Sequence, residues 1–103
     1  MLTAICSFPL RPDLSRERAI CEMRETLPVY QGRAGLIRKY VCIDPEAGRG
    51  CGIYLWTDRP SADAYFAEAL PFMRKQLGTD PEVAFFDTPM IVDNSTGEVH
   101  MEA

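Results

Sequence analysis

Histidine is nearly missing from this sequence: His100 is the only one, and it lies in a polar C-terminal stretch. A metal centre without a second histidine needs carboxylates spaced as ligands, and no such spacing occurs, so no metal is expected. The four cysteines, Cys6, Cys21, Cys42 and Cys51, include no CxxC or other zinc-type pair. Cys6, Cys21 and Cys42 fall inside apolar segments, which predicts buried free thiols. Basic runs are missing as well. Lys and Arg number 11 against 15 Asp and Glu, for a net charge of −4, without the cation cluster that a nucleic-acid backbone or an anionic membrane surface requires. No apolar run approaches the roughly 20 residues that cross a bilayer. The opening "MLTAICSFPLRPD" has too short an apolar stretch for a signal peptide and no basic region ahead of it. The expectation is a cytoplasmic protein that binds neither nucleic acid nor membrane.

What is present is an ordinary globular mixture, 47% apolar and 25% charged over 103 residues, enough for a single domain at 1–103 with 94–103 as a loose polar tail. A core of this size leaves a thin stability margin that a partner subunit would widen. "LTAICSF" (2–8) reads as a buried strand. From Asp13 to about Tyr30, the spacing of Ile20, Met23, Leu27 and Tyr30 predicts a helix, bent or closed near Pro28. "GLIRKYVCI" (35–43) and "GIYLWT" (52–57) are strands joined by the turn-rich "DPEAGRGCG". The second helix follows, with Asp58 as its N-cap, Pro60 in its first turn, Gly78 at its end, and a kink expected at Pro71. "PEVAFFDTPMIVD" gives a last strand broken at Thr88-Pro89.

The order β-α-β-β-α-β specifies an α+β, ferredoxin-like subunit: a four-stranded antiparallel sheet with both helices on one face. Along 52–57, Gly52, Tyr54 and Trp56 point one way and Ile53 and Leu55 the other, so both faces of the sheet ask for cover. A second copy of the chain, packed sheet to sheet, would cover the face without helices.

A chain of this length and order, with a Trp closing the third strand before a capped helix, resembles the dimeric α+β barrel group and its antibiotic-biosynthesis-monooxygenase family. "GLIRKY", "GCGIYLWTDRPSADAY" and "EVAFFDTPMIVDN" resemble, more narrowly, the small bacterial YdhR-type monooxygenases. The resemblance runs from about Ala4 to Asn94. It implies a homodimer, with residues 89–93 extending the last strand across to the partner, and a pocket between sheet and helices in each subunit. It also implies oxygen insertion into a small aromatic or quinol-like molecule without flavin, haem or metal. Such chemistry needs a dry pocket, a proton acceptor and donors for the developing oxyanion.

On that resemblance Trp56 stands where the family pocket carries a tryptophan, and Tyr54 shares its strand face as a usable proton donor. Tyr65 stands where many members carry a histidine; a phenol is a poor base at neutral pH, which weakens the acid–base role. Arg38 and Tyr40 share one face of the second strand and Lys39 takes the other, and whichever cation points inward could hold an enolate or carboxylate. Tyr54 and Arg38 are therefore the catalytic candidates, and Trp56, Tyr40, Tyr65, Phe66, Met73 and Phe85 the substrate-binding ones, with no cofactor. Asp58 is accounted for by helix capping. Two other readings use the same pocket: a non-catalytic small-molecule binder or stress-linked dimer, and an isomerase or decarboxylase.

Overall fold

A computed structural model describes all the residues, Met1–Ala103. Its elements are β1 (Leu2–Pro9), α1 (Arg16–Tyr30), β2 (Leu36–Asp44), β3 (Arg49–Trp56), α2 (Arg59–Leu77), β4 (Glu82–Asp87), β5 (Met90–Asp93) and β6 (Glu98–Met101). The first four strands form one antiparallel sheet in the order β2-β3-β1-β4, the expected ferredoxin-like arrangement. Each helix starts at a side-chain cap: Ser15 accepts the Arg18 amide at 3.1 Å, and Asp58 accepts that of Ser61 at 2.8 Å. Gly78, left-handed at φ 73°, ends α2.

The proline in α2 does not divide it. Pro71 lies inside one continuous 19-residue helix, and both Pro71 and Ala67, whose carbonyl loses its helical donor, are on the exposed side. Water can satisfy that carbonyl, so the helix continues through the proline without leaving a buried polar group unpaired.

Ala4 and Cys6 of β1, Tyr54 and Trp56 of β3, and Ala62, Tyr65 and Phe66 of α2 form the buried core. Helix α1 contributes only Ala19 to the buried set, and Leu27, expected in its core stripe, is 46% exposed. It stands off the sheet, and a cavity fills the gap. Cys6 is buried as expected, and Cys51 is half-buried; Cys21 on α1 and Cys42 on β2 are exposed, because each lies on the side of its element turned away from that core.

The opposite sheet face carries Tyr40, Ile53, Ile5 and Ala84 in one register row, with Arg38, Leu55, Thr3 and Phe86 in the next. Residues 94–103 are not loose. β6 pairs with β5 in a hairpin, Met90 opposite Met101 and Asp93 opposite Glu98. The hairpin is tied back to the sheet: Thr88 meets Thr3 through their hydroxyls, and Asp93 lies 3.6 Å from the Arg38 guanidinium. Met90–Asp93, within the stretch expected to reach a partner, pair on one edge with β6 of their own chain.

Gly35 leads into β2 with φ 78°, and a Cβ there would come within 2.4 Å of the Ser61 Cβ at the start of α2. Replacement by Ala meets both left-handed strain and a backbone-anchored clash. Gly35→Ala should lower unfolding free energy by about 2–3 kcal/mol in urea titration, against less than ~1 kcal/mol for Gly48→Ala, whose site is left-handed but open.

Candidate functional site

Strand β2 carries a bulge between Leu36 and Arg38, so that Leu36 pairs with Trp56 but Arg38 pairs with Leu55 and Lys39 with Tyr54. Unbroken alternation from Leu36 would put Arg38 opposite Tyr54, on the helix side. The extra residue, Ile37, reverses that: Lys39, Val41 and Ile43 turn toward the helices, and Arg38 and Tyr40 turn to the other face. The tie between the two cations is broken in favour of Lys39.

Lys39 lines a cavity of about 570 Å³ enclosed by β1–β3, α1 and α2. Its apolar wall includes Phe8, Leu14, Met23, Phe72, Met73 and Leu77. The Lys39 Nζ lies 3.4 Å from the centroid of the Tyr30 ring and 4.6 Å from that of Tyr54, within cation–π range of both. It makes no ion pair. The two cavity carboxylates are already engaged, Glu22 with Arg11 at 2.8 Å and Glu68 with Arg33 at 3.1 Å. Burial lowers the Lys39 pKa from its usual value, with the Tyr30 hydroxyl and Cys6 working against it.

Three phenols run through the site. The Tyr54 and Tyr65 hydroxyls are 3.1 Å apart, and the Tyr65 hydroxyl donates to that of Tyr30 at 3.4 Å. Burial raises the pKa of both Tyr54 and Tyr65 well above that of a free phenol, so both stay protonated. Gly52 makes this packing possible: a Cβ at that position would lie 2.9 Å from the Tyr54 ring.

Of the sequence candidates, Tyr54, Tyr65 and Met73 line the cavity. Trp56 does not: it is fully buried, stacked at 6.0 Å on Tyr54, and its indole Nε1 has no hydrogen-bond partner. Phe66 and Phe85 pack edge to face in the core beside it. Arg38 and Tyr40 lie outside the site, on the far face, because of the bulge. Tyr30 and the Arg33–Glu68 pair are cavity residues that the sequence did not single out, and Lys39 was offered only as the alternative to Arg38. The only sequence signal for Lys39 was its position on one of two faces of β2, and nothing local chose between them.

No family model matches the chain, and no curated protein does. Solved structures do share its fold. A protein of unknown function from Nitrosomonas europaea superposes with a TM-score of 0.65 at 16% identity, over 84% of this chain and 87% of that one. An antibiotic biosynthesis monooxygenase gives 0.62 at 19% identity, over 85% and 98%. SnoaB, a cofactor-independent oxygenase from Streptomyces nogalater, gives 0.64 at 14% identity, over 90% and 97%. At these identities the likeness establishes the fold, which this chain has in common with proteins described as antibiotic biosynthesis monooxygenases.

Proposed function

We propose that the protein is a cofactor-independent oxygenase of a small aromatic or quinol-like molecule bound between the sheet and the helices. The observation that carries this reading is the half-buried, unpaired Lys39 facing an apolar cavity beside a chain of hydrogen-bonded tyrosines. A substrate of this class reacts with O₂ once it has lost a proton, because the resulting carbanion or enolate is electron-rich enough to reduce oxygen. For a benzylic methylene, the C–H pair left on carbon reduces O₂, a C–O bond forms, and the second C–H and the O–O bond then break to give a ketone and water. The protein's part is to bind the ring, exclude water and stabilise the anion. Lys39 supplies the positive charge, the Tyr54–Tyr65–Tyr30 hydroxyl chain an O–H donor at its Tyr30 end, and the apolar walls the apolar surroundings. The fold likeness to a cofactor-independent oxygenase supports the reading, as does the resemblance of "GLIRKY" and "GCGIYLWTDRPSADAY" to the YdhR-type proteins.

A second reading, a non-catalytic binder of the same ligands, is favoured by one observation: both carboxylates in the cavity are held by arginines. Oxygen uptake by metal-stripped, flavin-free protein against a panel of anthrones, quinols and flavonoid-like phenols separates the two. An oxygenase consumes one O₂ per product, that product being heavier by one oxygen less two hydrogens. A binder consumes none, although panel members raise its melting temperature. Tyr54→Phe should cut turnover by about ten- to a hundredfold with little change in ligand affinity, because its hydroxyl acts on charge that develops during reaction. A binder would show only a small change in affinity.

The working unit in this proposal is a cytoplasmic homodimer. Its contact is the sheet face opposite the helices, where Tyr40 and Phe86 are 52% and 54% exposed beside Ile5 and Ile53, an apolar surface suited to a second copy of itself. Sedimentation should give a dimer at micromolar concentration, and Tyr40→Glu should shift it to monomer without unfolding it.

A further inference from the structure

The oxygenase reading leaves the proton acceptor unassigned. We infer that Lys39 fills this role: its neutral amine takes the proton of a phenol, hydroquinone or enolisable aromatic ketone, and the ammonium so formed remains as counter-ion to the phenolate or enolate. The substrate's O–H or C–H bond breaks, an N–H bond forms, and the electron pair stays on the substrate. Charge is conserved, a neutral pair becoming an ion pair, and no co-reactant is needed. The catalytic weight of this step rests on the oxygenase reading; the proton transfer itself does not.

The assignment follows from the groups that face the cavity on every element around Lys39. On α1 these are Tyr30 and Glu22, on the turn after it Arg33, on β3 Tyr54, and on α2 Tyr65 and Glu68. Cys6 of β1 lies buried close by. Glu22 and Glu68 are occupied by arginines, and Arg33 is permanently charged. Tyr54 and Tyr65 are held as phenols by burial, and burial likewise pushes the Cys6 thiol up. Already protonated, none of these three can accept the proton of the substrate. Lys39 differs from all of these. Burial lowers its pKa, and of the groups around the cavity it alone is an amine without an ion-pair partner, a group that becomes a cation when it takes a proton.

Geometry supplies the rest. The rings of Tyr30 and Tyr54, 3.4 and 4.6 Å from Nζ, stabilise the cation without taking its proton. The hydroxyl chain from Tyr54 through Tyr65 to Tyr30 adds O–H donors in the same cavity. The site therefore matches acids whose conjugate base is a delocalised oxyanion on a flat apolar frame. Weak acids of this kind gain most, because the ion pair forms against apolar walls and is screened less than in bulk water.

The test uses 4-nitrophenol, whose phenolate absorbs apart from the phenol, bound under nitrogen so that turnover plays no part. Wild-type protein should bind it as the phenolate and lower its apparent pKa, an effect of about tenfold or more in binding preference. Calorimetry in buffers of different ionisation enthalpy then counts released protons. Below the pKa of free 4-nitrophenol, wild type should release about one proton per site where Lys39 is an ammonium and none where it is the amine that takes the proton up; above that pKa, where the free ligand is the phenolate, binding to the amine should instead take a proton up. Lys39→Arg, cationic throughout, should still bind the phenolate and release about one proton at every pH between the carboxylate range and the pKa of free 4-nitrophenol, above which the free ligand is itself the phenolate. Lys39→Met should lose the phenolate preference altogether while keeping or raising the melting temperature, since it removes an unpaired half-buried charge.

In turnover with a substrate from the panel, wild-type kcat should rise with pH through the Lys39 titration and then level off. Lys39→Arg should lower kcat by about a hundredfold or more with KM nearly unchanged. A wild-type proton count that follows that of the Arg variant at every pH, or an Arg variant that keeps wild-type kcat, overturns the inference. Phenolate binding and the predicted proton counts with no oxygen uptake on any substrate would uphold Lys39 as proton acceptor and retire the oxygenase reading instead.

Discussion

The site depends on one extra residue in strand β2. With Ile37 bulged out of the ladder, Lys39 sits opposite Tyr54 and the ammonium enters the aromatic wall. Without it, strict alternation would send Arg38 and Tyr40 to the helix side and Lys39 to the other. The difference is chemical as well as geometric, because an arginine keeps its charge under all ordinary conditions whereas a buried lysine can surrender its proton. Arg38, turned outward, instead meets Asp93 and ties down the C-terminal hairpin. The same irregularity thus equips the cavity and anchors the terminal segment on the opposite face.

The second constraint is room. Helix α1 buries only Ala19, and the space between it and the sheet stays open. A domain this small would ordinarily close such a gap to gain buried apolar area. Here the gap persists beside a rigid cluster of Tyr54, Trp56, Tyr65 and Phe66, packed ring against ring at centroid distances of 4.9–6.5 Å. The cluster fixes the two tyrosine hydroxyls, while α1, with Leu27 and Val29 largely exposed, is the more weakly held wall. An opening for ligand entry is more easily made on the α1 side than through the cluster.

Much of this was legible in the sequence. The alternation at 52–56, the periodicity of α2 and the capping pair Asp58 and Gly78 prescribe their elements locally, and the observed ones match them closely. Tyr54, Tyr65 and Met73 could be placed near a cavity because their elements are regular. Arg38, Lys39 and Tyr40 could not, since a bulge is a property of a strand pair and neither strand announces it alone. Trp56 was misplaced for a different reason: its face was read correctly, but the bulk of Tyr54 and Tyr65, which bury it, is a matter of packing. The hairpin of β5 and β6 escaped notice because "EVHM" is short and polar and gains its strand character from its partner.

Trp56 is the sole indole in the chain, and it is sealed from solvent with its N–H unpaired. It stacks nearly parallel to Tyr54, at an interplanar angle of 11°, and Tyr54 in turn touches the cavity and Lys39. The molecule therefore carries a built-in optical probe one ring removed from its cavity. Its ultraviolet emission arises in a dry aromatic setting, and any occupant that changes the charge on Lys39 changes the electric field across that ring. Occupancy of the cavity is in this way written into the protein's own fluorescence, with no label needed to read it.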